Sequence, residues 1–397
     1  MLTALVSPDS PGAVLQLVRT GQVSSRSDIA RLTQVSASTA ASRVQALIDL
    51  GLLHERGAGS SRGGRRPRRL DLRTEAGVVA SIDLGASHAV VALFDLAGGV
   101  LVHENLTLNI ADGPRVVLPW VFEQVQRMLQ SLALEPPLMG LTVGVPGPVD
   151  ATTGRVITPS RMPGWNGADV PTLLGEVTDA PVLVENDANL MAVGEFFVGD
   201  KTGQHLVFLK AGSGIGCGVI CSGSLHRGAR GAAGDISHVS VSPGVDIACS
   251  CGRIGCLDAV ASGAALARDM TAAGLPAADT AAVVELARDP EPVSARILRD
   301  AGRATGDVLA TIVNFFNPNT LVLGGQLSQA EPYVASIRST LHERCLPIAV
   351  EGLRITFSSA GPLAGVIGGG HLMLEHLFEP ARINALASGE AVRTATS

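Results

Sequence analysis

VVASIDLGASHAVVALFDLAGGVLVHENL, residues 78–106, is the stretch whose reading decides the fold. Its apolar, β-branched runs break at Leu84–Ser87 and again at Ala97-Gly98-Gly99, so it reads as three consecutive strands joined by two tight turns. The same grammar recurs downstream. An amphipathic stretch over about 115–131 is followed by an apolar strand, Gly140–Gly144, that leads into VPGPVD. PVLVEND (181–187) reads as a strand ending in polar residues, and ANLMAVGEFFVG continues it as a helix. LVFLKAGSGIGCGVI (206–220) is a strand, a Gly-rich turn and a strand, and VNFFNPNTLVLGGQLS (313–328) gives a strand ending in Gly-Gly. Polar and Gly-rich loops at strand ends are where α/β folds place ligands.

Composition agrees with this reading. A chain of 397 residues exceeds one ordinary core, so two or three units are expected. Its hydrophobic fraction (46%) and charged fraction (17%) exclude a disordered chain, and 46 Gly with 3% aromatics fit an α/β protein rich in tight turns. Mean hydropathy is positive, +0.32. Yet Asp83, His88, Asp95, Lys210 and Asn314 interrupt every apolar stretch before it could span a membrane. The opening MLTALVSPDSP has no basic region ahead of its apolar run, which argues against a signal peptide and for a cytoplasmic protein. In that setting six Cys predict metal ligation or free thiols rather than disulfides.

Charge divides the chain. Residues 1–73 hold 11 Arg against Asp9, Asp28, Asp49, Glu55 and Asp71, a net of +6; the whole chain is −6, so residues 74–397 carry −12. A basic head on an acidic body predicts an anionic partner for the head alone, and double-stranded DNA leads. Val14, Leu15, Leu17 and Val18 fall on one face of a helix over Pro11–Arg19. Ser25-Arg26-Ser27-Asp28 resembles a capping box and opens a short helix to about Thr33. After a turn at Gln34-Val35, Ser36 caps a longer helix to about Leu50, with Gly51 as its stop. Ala40, Val44, Leu47 and Ile48 form its inner side; Ser38, Thr39, Ser42, Arg43 and Gln45 form mainly the other, the geometry of a helix that enters a major groove. Leu52–Arg56 and Arg68–Leu72 then read as two short strands around GAGSSRGGRRP, a β-wing with Arg62, Arg65, Arg66, Arg68 and Arg69 at or near its tip. Such arginines suit phosphates or a narrow minor groove. The competing reading, a helical cap followed by a solvated Arg-rich linker, leaves the agreement of charge, caps and wing unexplained.

CSCGRIGC places Cys249, Cys251 and Cys256 at Cys-x-Cys-x4-Cys spacing, with Gly252 and Gly255 letting the backbone fold around an ion. Three thiolates suit Zn²⁺, and His238 is the natural fourth ligand; a Cys3His site is closed, so the metal is expected to be structural. A plain thiol cluster is the alternative, although the segment has no apolar periodicity. Cys217, Cys221 and Cys345 lack such spacing and read as ordinary buried residues.

The order DLGASH (83–88), PVLVENDAN (181–189), AGSGIGCG (211–218), LVLGGQLS (321–328), with PSRMPGWNG (159–167) and GAAGDISHVS (231–240), resembles the ROK family of repressors, open reading frames and sugar kinases. The resemblance covers essentially the whole chain, since the repressor branch carries the same kind of winged head with a GGR-P wing. It implies an N-terminal winged helix-turn-helix over 1–73, then a two-lobed RNase-H-like fold of the sugar kinase/actin type. The first lobe would span 74–190, with a C-terminal helix at about 365–378 packing back on it, and the second 191–364; residues 379–397, rich in Ala and Ser, read as a fraying tail. It also implies His238 as a zinc ligand, and Asn186, Asp187, Asp235, His238 and Asp258 as sugar ligands. In kinase relatives the residue matching Asp187 is the general base. On its residues alone Asp187 reads equally as the N-cap of the next helix. Kinase members carry Glu where this chain has Asp235 and Asp258, which points to a larger sugar or to water-bridged contacts, and Ser237 replaces the usual Gly.

The same resemblance marks Asp83, Gly85, Gly212, Ser213, Gly214, Gly324 and Gly325 as the remains of a nucleotide site. Kinases read Asp-x-Gly-Gly-Thr where this chain has Asp83-Leu84-Gly85-Ala86-Ser87, and a Cβ at Ala86 crowds a phosphate. The expectation is therefore a sugar-responsive repressor, a homodimer or homotetramer on operator DNA. An ATP- and Mg²⁺-dependent sugar kinase is the alternative, and a vestigial cleft answering to a protein partner a third.

Overall fold

The computed structural model describes residues 7, 10–58, 68–199, 203–241 and 246–390. The head is three helices and a β-hairpin. Helix α1 (Pro11–Arg19) starts on Ser10, whose hydroxyl accepts from the Ala13 amide. Helix α2 (Arg26–Thr33) starts on Ser25, which accepts from the Asp28 amide while the Asp28 carboxylate reaches back to the Ser24 amide. Gln34 turns the chain in the left-handed region (φ 58°), and Ser36 caps α3 (Ala37–Asp49) through the Thr39 amide. Ala40, Val44 and Leu47 are buried, and Gly51 (φ +73°) ends the helix as expected. Strands β1 (Leu53–Ala58) and β2 (Arg68–Leu72) pair antiparallel as the wing stem.

The body contains one topology twice. Strands β3 (Val78–Leu84), β4 (His88–Asp95) and β5 (Val100–Thr107) are the three predicted at the outset; β6 (Leu138–Val145) and β7 (Val182–Asn186) complete a sheet of order β5-β4-β3-β6-β7. The first three pair antiparallel, and β6 and β7 extend the sheet in parallel. Helices α4 (Pro114–Gln130) and α5 (Val170–Leu174) cover one face, where Trp165 is fully buried and donates its indole N–H to the Ile110 carbonyl. The second sheet repeats the plan: β8 (Leu206–Ala211), β9 (Ile215–Cys221) and β10 (Ser224–Leu225) antiparallel, then β11 (Thr320–Gly324) and β12 (Arg354–Phe357) parallel, in the order β10-β9-β8-β11-β12. Its core holds α7 (Leu257–Ala261), α8 (Gly263–Ala272), α9 (Thr280–Leu286), α10 (Pro292–Phe316), α11 (Glu331–Arg344) and the short α12 (Pro347–Val350). Residues 313–316, included in the strand-bearing segment at the sequence level, close the 25-residue α10 instead; Asn317 (φ 49°) stops the helix before β11 begins. The apolar run adjoining a true strand hid the 3.6-residue periodicity that buries Leu298, Ala301, Leu309 and Val313.

Two helices join the halves. Helix α6 (Asp187–Val198) leaves β7 directly and packs on β8 and β9, while α13 (Ala364–Leu377) packs on β3 and β6 and crosses α6. At the crossing a Cβ on Gly194 would overlap the Ala364 carbonyl, and one on Gly368 the Leu190 carbonyl. Part of the tail expected to fray is helical: residues 380–388 form α14 (Pro380–Ser388), which packs on α1 and buries Ile383, and residues 391–397 lie outside the described residues. Its small residues permit close docking. The Gly12 amide donates to Asn384 Oδ1 (2.8 Å), Gln16 donates to the Phe378 carbonyl (2.8 Å), and Arg19 pairs with Glu375 (3.1 Å) beneath the Phe378 ring. The head core is accordingly continuous with Val79, Phe94, Met373 and Leu374 of the first lobe. Among the described residues no helix is long and apolar enough to cross a membrane.

Gly368→Val places a branched side chain against the α6 backbone, and overpacking of this kind costs about 1–3 kcal/mol. Urea unfolding should show that loss, with the melting temperature falling in parallel.

Candidate functional site

A cleft of about 960 Å³ opens between the two sheets. Every sugar and nucleotide candidate from the sequence lines it: Asp83 near the end of β3 and Gly85 in the β3–β4 turn, Asn186 and Asp187 from the start of α6, Gly212, Ser213 and Gly214 from the β8–β9 turn, Asp235 and His238, Asp258 of α7, and Gly324 at the end of β11 with Gly325 next to it. The two lobes thus present matching strand ends to one space.

The competing capping role falls to a different residue. Asn186 is the N-cap of α6: its side-chain oxygen accepts from the Ala188 and Asn189 amides, and its Nδ2 donates to the Gly147 carbonyl. Asp187 sits one residue inside the helix, 3% exposed, with Oδ2 held by the Lys210 ammonium. Asp258 is equally tied. Its Oδ2 takes Arg161 (2.6 Å) and its Oδ1 the Ile215 amide (3.0 Å). Asp235 is exposed and held by the Ser237 hydroxyl, so the Ser that replaces Gly fixes a cleft carboxylate. Glu185, buried at the end of β7, accepts from Asn189 (2.9 Å) and pairs with Arg227 (2.6 Å). Among the described residues the pairs Asp187–Lys210 and Asp258–Arg161 line the cleft, and Glu185–Arg227 lies next to Asn186 in the chain, an arrangement that satisfies buried charges and leaves polar edges for hydroxyls.

Lys210, Arg161, Glu185, Arg227 and His88 were not read from the sequence as site residues. Lys210 had a visible signal: a lone Lys in the apolar strand LVFLKA. Arg161 lies within the quoted motif PSRMPGWNG, yet its partner Asp258 is 97 residues away and only folding joins them.

The glycine-bearing turns expected to be remains of a nucleotide site are closely packed. The His88 ring occupies the space a side chain at Gly85 would need, so the imidazole fills the turn. Gly212 and Gly214 close the second turn by a 3.0 Å backbone hydrogen bond, and Arg161 donates to the Ser213 carbonyl (3.1 Å). Gly324 lies against the Phe208 ring, and Gly325 (φ +81°) against the Ala211 backbone. Burial, then the Asp187 charge, raises Asp83 to about 7. His88 is lowered by burial and by Lys210.

His238, Cys249, Cys251 and Cys256 come together: their ligand atoms all lie within 4.8 Å of one another. Cys249 Sγ is 3.6 Å from His238 Nδ1, and Cys251 Sγ is 3.7 Å from Cys256 Sγ. Around a tetrahedral ion with metal–sulfur distances of about 2.3 Å, adjacent ligands stand roughly 3.5–3.8 Å apart, so the four residues fit a metal. Burial, then the adjoining Cys251 and Cys249 thiols, pushes Cys256 up to about 12. A dication is what lets such closely set thiols ionise together. Cys217 and Cys345 are buried and Cys221 half-buried, away from this cluster.

In the head, Ser38, Ser42 and Gln45 are exposed on α3, whereas Thr39 and Arg43 are half-buried. The Thr39 hydroxyl lies 2.8 Å from Ser36 Oγ in the cap, and Gln45 bonds Asp49 (2.9 Å) and receives Arg26 (3.4 Å). Arg68 pairs with Glu55 (3.2 Å) on the wing stem but keeps its side chain 73% exposed. Arg62, Arg65 and Arg66 lie outside the described residues.

The raised Asp83 makes a signed pH prediction. Its folded form holds a proton that the unfolded chain releases near 4, so its contribution is complete below about 4 and is lost as pH rises through about 7. Asp83→Asn removes that loss. The melting temperature of the variant relative to wild type should be higher at pH 8 than at pH 5; a pH-independent difference would contradict the assignment.

The sequence and the fold match known proteins. The chain is 27% identical to a xylose repressor of Caldicellulosiruptor bescii, over 89% of this chain and 92% of that protein. It is 28% identical to a glucokinase of Halalkalibacterium halodurans, over 74% of this chain and 93% of the other. A crystal structure of a ROK family transcriptional regulator, described as a homologue of the E. coli MLC protein, superposes with a TM-score of 0.78 at 24% identity, covering 96% of this chain and 98% of its own. The ROK family pattern itself spans residues 79–376. With that span matched and both lobes in place, the chain belongs to the ROK family.

Proposed function

We propose that this protein is a sugar-responsive, DNA-binding transcriptional repressor of carbohydrate genes. The observation that carries the reading is mechanical continuity between the cleft and the head. Asp187 of the cleft begins α6, α6 crosses α13 through glycine contacts, and α13 runs into α14, which is bonded to α1. A ligand that changes the angle between the lobes therefore moves the support of the head. The xylose repressor relative supports a role in repression, and the glucokinase relative supports a sugar as the cleft's ligand.

In this reading the α3 face carrying Ser38, Thr39, Ser42, Arg43 and Gln45 lies in the major groove, and Arg62, Arg65, Arg66 and Arg68 of the wing meet phosphates or the minor groove. The hydroxyl groups of an uncharged sugar bond to Asn186, Asp187, Asp235 and Asp258. Two copies, as a homodimer or within a homotetramer, place two heads on a palindromic operator. Sugar binding favours the arrangement that fits the operator less well, so DNA is released by population shift. Zn²⁺ held by His238 Nδ1 and the three thiolates would tie the loop that carries Asp235 and Ser237 to α7, which carries Asp258. With Nδ1 engaged, Nε2 is the ring nitrogen left to meet a sugar.

A thermal-shift screen of neutral pentoses, hexoses and N-acetylhexosamines, run with and without an operator selected from a random duplex library, tests the reading. One sugar should raise the melting temperature, and the same sugar should weaken operator binding in fluorescence anisotropy. A protein that selects no duplex, or no sugar, would overturn it. Replacing Arg62, Arg65 and Arg66 by Ala should weaken operator and random DNA alike. The slope of log affinity against log salt should become shallower by about one per arginine that contacts a phosphate. Cys251→Ser should abolish stoichiometric zinc in elemental analysis and lower the melting temperature. Retention of the metal would exclude the proposed ligand set.

A further inference from the structure

Phosphoryl transfer from a nucleotide would require Mg²⁺ beside the cleft carboxylates and a cradle for phosphates. The residues present do not fit that group. Asp83, near the end of β3, and Asp187, at the start of α6, both line the cleft, and two carboxylates facing one space are the kind of oxygen set a hard dication takes. In the same cleft this chain places an ammonium: Lys210 Nζ bonds Asp187 Oδ2, and Asp83 Oδ1 is buried with no hydrogen-bond partner. Lys210 belongs to β8, whose backbone is paired on both sides, so its point of attachment is fixed. The phosphate side is filled as well, by the His88 ring against Gly85 and the Cβ of Ala86.

We propose that Lys210 is a resident substitute for the divalent cation, which makes the cleft a metal-independent receptor for an uncharged sugar and closes it to a magnesium nucleotide. A tethered cation holds the site at an effective concentration that free Mg²⁺ in solution does not match. The ammonium itself is held above its ordinary range: burial opposes the charge, but Asp187 and Asp83 outweigh it. When a sugar enters, Lys210 donates to a hydroxyl oxygen and Asp187 accepts from a hydroxyl, so one pair offers both polarities without a metal. Lys210 is in this sense a residue that decides what the cleft admits. The inference rests on the sugar-receptor reading for its ligand, while its claim about the cation stands on the charge cluster alone.

The test uses Mn²⁺ as the probe and the full chain as the protein, with bound Mn²⁺ read by electron paramagnetic resonance. Lys210→Met should gain a Mn²⁺ site at least about tenfold tighter than any wild type shows, and the added change Asp187→Asn should remove it. Lys210→Arg should stay like wild type. If Lys210→Met does not fold, Lys210→Ser, which leaves a polar group and space for water, is judged by the same criteria. Equal Mn²⁺ binding by wild type and the folded Lys210 variant overturns the proposal, as does a gained site that survives Asp187→Asn. The sugar-dependent thermal shift of wild type, measured with EDTA and no added divalent ion, is read separately. Its absence alongside a gained Mn²⁺ site would remove the sugar reading and leave the cation assignment intact.

Discussion

Helices α6 and α13 meet where two glycines let the backbones touch, and the rest of the molecule is arranged around that crossing. Gly194 and Gly368 remove the side chains that would keep the axes apart, so backbone rests on backbone. Each helix starts at the cleft: Asp187 opens α6, and Gly365 in the first turn of α13 lies against the Asp83 carboxylate. Positive helix ends favour these carboxylates. Burial nevertheless wins at Asp83, whose carboxyl is pushed to about 7, because desolvation outweighs the dipole in an enclosed site. A crossing without side chains cannot deform gradually; it slides or tilts as a unit.

The C-terminal helix gives that crossing a consequence. Had α14 been free, the head would hang from the wing strands and the chain between them. Instead α1 is bonded to α14 by Asn384 and to the end of α13 by the Phe378 carbonyl and Glu375. The head core and the first lobe consequently share one apolar cluster, and the basic and acidic parts of the chain, distinct in charge, are not distinct in packing.

Charge in the cleft follows a different logic. Three carboxylates at or beside the family motifs are each matched by a cation from a different segment. Such pairs are costly to desolvate and contribute modest net stability, so their value lies in holding geometry. The ion pair of Arg161 with Asp258 ties the loop after β6 to α7 across the cleft. Nearby, His238, Cys249, Cys251 and Cys256 draw together, with Ala259 and Ile247 packed beside the cysteines.

Much of this was legible from local pattern. Three strands over 78–106, the caps at Ser25 and Ser36, the Cys-x-Cys-x4-Cys spacing and the basic head all express chemistry within a few residues, where periodicity, capping and ligand spacing act. Lining of the cleft by Asp83, Asn186, Asp187, Asp235 and Asp258 followed from motif order. Long-range pairing was not legible: Lys210 with Asp187 and Asp83, Arg161 with Asp258, and Gly12 with Asn384 join residues whose separation leaves no trace in composition. The tail was misread for the same reason, since Ala and Ser are neutral about order until a partner such as α1 buries Ile383. The sequence by itself determined most of the elements, the head's charge and the gathering of three cysteines, because those depend on neighbours in the chain. Tertiary structure alone decided which cations answer which carboxylates and which helix holds the head, because those depend on neighbours in space.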